Sequence, residues 1–108
     1  MTDEYKIKQN IELMRMIKVL NNHIRILIVQ YVINSSPVSF TQIHNHLKGE
    51  RGDISKGTLS YHLDLLVEGD VFEKKLERNE GRDYSQYEIT DNALQTLESL
   101  GLLEHVIM

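Results

Sequence analysis

The fold of this chain depends on one stretch, Ser55-Lys56-Gly57-Thr58-Leu59-Ser60-Tyr61-His62-Leu63-Asp64-Leu65-Leu66-Val67-Glu68-Gly69-Asp70-Val71. Its residues Leu59, Leu63, Leu66 and Val67 recur every three or four positions, which is the spacing of one helical face. Either Asp53 or Ser55 can cap the start of this helix, and Gly69 predicts its end. We therefore expect a helix that runs to about Glu68, with one apolar face and one polar face.

Downstream of this helix the apolar pattern changes from helical to alternating, which is typical of strands. Residues 71–78 and 84–89 have this pattern, and the polar residues 79–82 between them predict the tip of a hairpin. Thr90 can cap a last helix with Ala93, Leu94, Leu97 and Leu100 on one face, and Gly101 predicts its end.

Three more helices are predicted upstream. Helical spacing of apolar residues runs from about Glu4 to Leu20 and from about His23 to Asn34, where Pro37 disfavours continuation. Ser39 and Gln42 fit a capping box, which predicts a short third helix, followed by a polar connection over 48–53. The expected fold is mainly α with a small β-hairpin wing, in the order α-α-α-α-β-β-α. This is the order of a winged helix-turn-helix.

Composition limits the classes of protein that fit. The chain has 108 residues, enough for one domain, and its 41% hydrophobic and 26% charged residues are typical of globular proteins. It has no cysteine, which excludes disulfides and thiolate sites. The longest apolar stretch, 24–33, is too short for a membrane span, and the N-terminus lacks the pattern of a signal peptide. We expect a cytoplasmic protein without membrane contact.

The quoted stretch resembles the recognition helix of the ArsR-like and MarR-like transcriptional regulators, especially archaeal members. The matching residues are Leu59, Ser60, His62, Leu63, Leu66 and Gly69. The resemblance covers about residues 22–101. It departs from the family pattern in the longer connection over 47–55 and in Asp70, where an apolar residue is common.

The resemblance implies a homodimeric regulator that binds double-stranded DNA. We expect residues 1–20 to form a helix for dimerisation, 21–101 to form the DNA-binding domain, and 102–108 to form an apolar tail at the dimer contact. The two ends carry more apolar surface than so small a domain covers by itself, although these residues could instead close the core of the monomer. The residues expected in the dimer contact are Ile7, Ile11, Met14, Leu97, Leu100 and Leu103.

The expected DNA contacts lie on the polar face of the central helix, on the wing and at the start of the third helix. Hydroxyl groups and cations there can reach phosphates or base edges. The alternative for His62 is a packing residue, since leucine follows it, and the alternative for the wing cations is a solvated hairpin, because acids lie between them. The full set is Thr41, Gln42, Ser55, Lys56, Thr58, Ser60, Tyr61, His62, Lys74, Lys75, Arg78 and Arg82.

No catalytic site, cofactor or metal site is predicted. The sequence has no glycine-rich phosphate loop, and no nucleophile with a base can be assembled from it. His44 and His46 are two positions apart, which points them to different sides of a helix. The ligand sites of ArsR-like metal sensors are not recognisable either. The net charge of −4 suits an alternative function, a winged-helix protein-interaction module that does not bind DNA.

Overall fold

The computed structural model of the chain describes the backbone of residues 2–104 and the side chains of residues 10–50 and 52–104. Five helices and three strands are present in this part of the chain. In chain order they are α1 (Thr2–Leu20), α2 (His23–Ser35), β1 (Val38–Ser39), α3 (Phe40–Arg51), α4 (Lys56–Glu68), β2 (Phe72–Asn79), β3 (Arg82–Ile89) and α5 (Asp91–Ser99).

Helices α2 to α5 each begin at a polar side chain that satisfies a free backbone amide of the first turn. The capping residues are Asn22, Ser39, Ser55 and Thr90. At α3 the predicted capping box is complete, because the Gln42 amide donates to Ser39 Oγ at 3.1 Å and the Ser39 amide donates to Gln42 Oε1 at 2.8 Å. These caps fix where the helices begin.

The sheet has one strand more than the sequence predicts. The two residues of β1 pair with β3, which gives an antiparallel sheet in the order β1-β3-β2. The hairpin of β2 and β3 closes through Glu80 and Gly81, which have φ values of 53° and 78°. Two successive residues with positive φ match the twist of the strands on either side of a two-residue turn. The tip is therefore shorter than the predicted 79–82.

The connection between α3 and α4 is also shorter than expected. Helix α3 continues to Arg51, so only residues 52–55 separate the two helices. Gly52 ends α3 with a φ of 92°, and its amide donates to the Lys48 carbonyl at 3.1 Å. His44 Nε2 donates to the Ile54 carbonyl at 2.8 Å and ties this turn to α3. The expected long connection over 47–55 is wrong because the polar residues 48–51 form helix.

A single core is shared by all five helices and the sheet. Met16 and Leu20 bring the end of α1 into it, and Leu97 brings α5. Leu97, one of the residues predicted in the dimer contact, is only 1% exposed and packs within its own chain. The largest fully buried side chains are Phe72, Ile28, Ile43, Leu47, Leu59, Leu63, Leu66, Leu97, Val29, Val32, Val38 and Val71.

Gly69 ends α4 for a different reason from the one expected. Its φ of −82° suits any residue, and the left-handed residue is Asp70, with a φ of 61°. A Cβ at Gly69 would lie 2.9 Å from Val19 Cγ2, so glycine is needed there to let α1 approach. Asp70 then accepts hydrogen bonds from Thr90 Oγ1 to its carbonyl and from Asn92 Nδ2 to its carboxylate, at 2.7 and 3.0 Å. These contacts explain a polar residue at this position.

Candidate nucleic-acid interface

Helix α4 divides cleanly into a buried face and an exposed face. Leu59, Leu63 and Leu66 face the core. Four of the predicted DNA contacts, Lys56, Thr58, Ser60 and Tyr61, are exposed on the other side, and the Tyr61 side chain is 60% exposed. The first two turns of α4 thus present a cation, two aliphatic hydroxyls and a phenol to solvent.

Other predicted contacts at the helix starts are partly engaged within the chain. The Ser55 hydroxyl accepts from the Thr58 amide at 3.0 Å and donates to Thr58 Oγ1 at 2.9 Å. Gln42 Oε1 belongs to the capping box of α3, while Thr41 is exposed beside it. Ser55 and Gln42 therefore serve first to position the starts of α4 and α3.

His62 is not on the exposed face. Its side chain is 6% exposed, and its Nδ1 atom lies 3.1 Å from Nη1 of Arg25 on α2. The Tyr61 ring packs edge-on against it, with ring centroids 5.3 Å apart. His62, one of the predicted DNA contacts, is thus directed inward by the helical spacing that it shares with Leu59 and Leu66.

The four predicted wing cations are divided between the two faces of the hairpin. Residues directly opposite each other in an antiparallel pair share a face. Lys74 lies opposite Tyr87 and Arg78 opposite Asp83 on the face that carries the buried Tyr87 ring. Lys75 and Arg82 lie on the other face. The wing therefore presents no single basic patch.

Two of the wing cations also have acidic partners. Lys75 Nζ is 3.6 Å from Glu88 Oε2, and Arg78 Nε is 3.8 Å from Asp83 Oδ1. Both pairs are exposed, so each contributes little to stability. Among the five cations predicted to contact DNA, Lys56, Lys74 and Arg82 form no ion pair within the described part of the chain.

Helix α4 and the wing meet near Asp64 and Tyr87. Burial is the main cause that raises the pKa of the Tyr87 phenol, the negative charge of Asp64 raises it further, and a hydrogen bond with Ser85 acts in the opposite direction. Asp64 is exposed one turn after Ser60 and Tyr61. An acid thus borders the polar surface of α4 on the side of the wing.

Sequence reasoning missed two residues of this region. Gly57 is exposed between Lys56 and Thr58, and a Cβ there would meet nothing within 4 Å. The signal was available, since glycine inside a helix costs about 1 kcal/mol relative to alanine and calls for a reason. Arg25 is the second, and its signal is a cation in the first turn of a helix, where it opposes the helix dipole.

Within residues 2–104, no helix is both long enough and apolar enough to cross a membrane. Among the side chains of residues 10–50 and 52–104, no three His, Asp or Glu are grouped so that they could hold a metal ion.

No protein-family model matches the sequence, and no curated protein matches it. Solved structures do match. The transcriptional regulator homologue protein from Pyrococcus horikoshii OT3 is 25% identical, with a TM-score of 0.65 over 89% of this chain and 93% of that one. Reduced HlyU from Vibrio cholerae N16961 is 16% identical, with a TM-score of 0.69 over 95% and 96% of the two chains. These likenesses confirm the predicted fold class, a mainly α winged helix.

Proposed function

We propose that this chain is a sequence-specific, double-stranded DNA-binding transcriptional regulator that acts as a homodimer. Helix α4 lies in the major groove, and the β2–β3 wing lies on the backbone or in the minor groove. The observation that carries the proposal is the exposed polar side of α4, set beside a hairpin in a fold shared with a transcriptional regulator homologue.

The exposed side chains of α4 have the chemistry that base edges and phosphates require. Ser60 and Thr58 hydroxyls can donate or accept, and Lys56 can bind a phosphate or a guanine edge. Tyr61 projects a phenol beyond the helix surface. The buried face of leucines holds this surface rigid against the core, so that the contacts are made from a fixed helix.

The wing contributes through its unpaired cations. Lys74 and Arg82 lack ion pairs among the described residues, and Arg82 follows the two-residue tip of the hairpin. An arginine at this place can enter a minor groove, where the negative potential is strong. Lys75 and Arg78 would first have to break their ion pairs with Glu88 and Asp83. We therefore assign these two cations a smaller contribution to DNA affinity.

Exposed apolar side chains on α1 and after α5 support the proposed dimer. Met14 is 67% and Ile11 is 54% exposed, and Ile17 and Leu100 border an apolar cleft of about 290 Å³ between the two helices. Leu103 is half-buried against the core, and the side chain of Ile7 and residues 105–108 lie outside the described residues. A second copy would cover this surface and present a second α4 about one helical turn of DNA away.

The test is binding of the purified protein to random and genomic duplex DNA at two salt concentrations. Lys56→Ala and Arg82→Ala should weaken binding, whereas Lys18→Ala, which removes an exposed cation on α1, serves as the matched control. We expect salt-sensitive binding that is weakened in the two variants and kept in the control. If no duplex is bound even at low salt, the regulator proposal fails, and the protein-interaction module becomes the working hypothesis.

A further inference from the structure

Arg25 joins three helices through one guanidinium group. Its Nε donates to the Val19 carbonyl at 2.6 Å, and its Nη1 lies 3.1 Å from His62 Nδ1. Val19 belongs to the last turn of α1, Arg25 to the first turn of α2, and His62 to the middle of α4. Arg25 is half-buried and His62 is buried, so solvent competes little for these bonds.

The chemistry of the two side chains fixes the direction of the bond between α2 and α4. A guanidinium has five N–H donors and no acceptor. His62 Nδ1 must therefore accept the proton of Arg25, which requires a neutral imidazole with its own hydrogen on Nε2. A half-turn of the imidazole about its Cβ–Cγ bond would break this hydrogen bond. The bond therefore fixes the orientation of the ring, which packs against Tyr61 on the exposed face.

These contacts explain why a cation stands at position 25. In the first turn of α2 its charge faces the positive end of the helix dipole, which is unfavourable. The same charge lies against the last turn of α1, where carbonyls lack helical partners and the dipole favours a cation. Val19 also lies against the C-terminal end of α4, since its side chain fills the space at Gly69, the residue that caps this helix. The end of α1 is thus joined to α4 at two places.

We propose that Arg25 is the positioning residue of the DNA-reading helix: it sets the orientation of α4 relative to α1 through the neutral, Nε2-protonated form of His62. This inference rests on the proposed function for its effect on DNA binding, but the bond itself is independent of that function. Through the hydrogen bonds of Arg25, α1, the proposed dimer helix, is also connected to α4.

The test compares the wild type with Arg25→Met, which keeps an unbranched side chain as far as the position of Nε and removes its donors. Arg25→Lys is the second variant, since one ammonium group cannot reproduce the planar fork. Arg15→Met removes an exposed arginine on α1 with no bond among the described residues and is the matched control. The measurements are the ¹⁵N chemical shifts of His62 in the free protein near pH 7, the folded fraction by circular dichroism, and duplex affinity.

We expect the wild-type spectrum to show His62 as the Nε2–H tautomer. Arg25→Met and Arg25→Lys should stay folded at the assay temperature and bind duplex at least about tenfold more weakly, the factor that 1.4 kcal/mol gives. Arg15→Met should bind like the wild type. A hydrogen on His62 Nδ1 in the wild type, or unchanged affinity in folded Arg25→Met, would overturn the proposal. If the wild type binds no duplex, the proposed function fails, and the tautomer measurement still decides whether the bond exists.

Discussion

The salt dependence of duplex binding follows from the count of unpaired cations. Five predicted DNA contacts are cations, and two of them, Lys75 and Arg78, are held by acids. Three per protomer, or six per dimer, are left to neutralise phosphates. Each phosphate contact contributes about −0.9 to the slope of log K against log[salt], so the dimer should have a slope of about −5. Its affinity should fall about a thousandfold between 50 and 200 mM salt.

Lys74 and Lys75 provide the sharpest version of this test, because they are adjacent, of one residue type and on opposite faces of the wing. Lys74→Ala should reduce the steepness of the slope by about 1.8 in the dimer, since one contact is lost per protomer. Lys75→Ala should leave the slope nearly unchanged, because Glu88 already neutralises that charge.

The assay is duplex binding by fluorescence anisotropy over four or more salt concentrations, with the stoichiometry measured in parallel by sedimentation. A wild-type slope near −9 would mean that all ten cations of the dimer contact phosphates, which refutes the division into paired and unpaired groups. An equal loss of slope in the two lysine variants would refute it as well.

Three further outcomes are expected. Gly57→Ala and Gly49→Ala should each stabilise the fold by about 0.5–1 kcal/mol in thermal melts, because both glycines lie in helices with open space around them, but only Gly57→Ala should weaken duplex binding. Met14→Glu should shift the protein toward monomer in sedimentation equilibrium without lowering its helix content. The free energy of unfolding should fall as pH rises above about 10, and less steeply in Tyr87→Phe, because burial raises the pKa of that phenol in the folded state.

Each of these has a clear contrary result. Equal duplex affinity in both alanine variants would show that DNA does not approach the helix closely at Gly57. A dimer that survives Met14→Glu would place the interface elsewhere. The sign of the pH effect is fixed, since a group with a raised folded pKa adds stability below its unfolded value and loses it at higher pH. Identical alkaline profiles for the wild type and Tyr87→Phe would contradict it.

Much of the fold could be predicted because local signals agree with it. Polar caps, three hydroxyls and one amide, mark the starts of α2 to α5, and the apolar spacing of α4 identifies its buried face. Strand β1 escaped prediction because two residues carry no periodicity, and only pairing with β3 makes them a strand. The extent of α3 was underestimated because Gly49 and the charged residues around it look like a loop, although an exposed helix turn tolerates them.

The candidate site was less predictable, because its properties depend on side-chain partners that are distant in sequence. The hydrogen bond of His62 with Arg25 and the ion pair of Lys75 with Glu88 both join residues that no local sequence pattern brings together. Side chains alternate between the two faces along a strand, but the wing cations can be assigned to these faces only once the register of β2 and β3 is known. Residue types alone predict which chemical groups this region offers. Tertiary contacts decide which of those side chains are exposed and unpaired.

The close approach of α1 to Gly69 has a consequence for how mutations combine. The backbone dihedral angles at position 69 suit any residue, so the local geometry alone would allow alanine there. The methyl group would nevertheless collide with Val19. Gly69→Ala should therefore be harmful in the wild-type background and less harmful after Val19→Ala, which removes Cγ2 and leaves the Cβ of residue 19 at 3.3 Å. Val19 and Gly69 are far apart in sequence, yet they would then behave as a suppressor pair. The order in which the two residues mutate would decide whether the intermediate variant is destabilised by the collision.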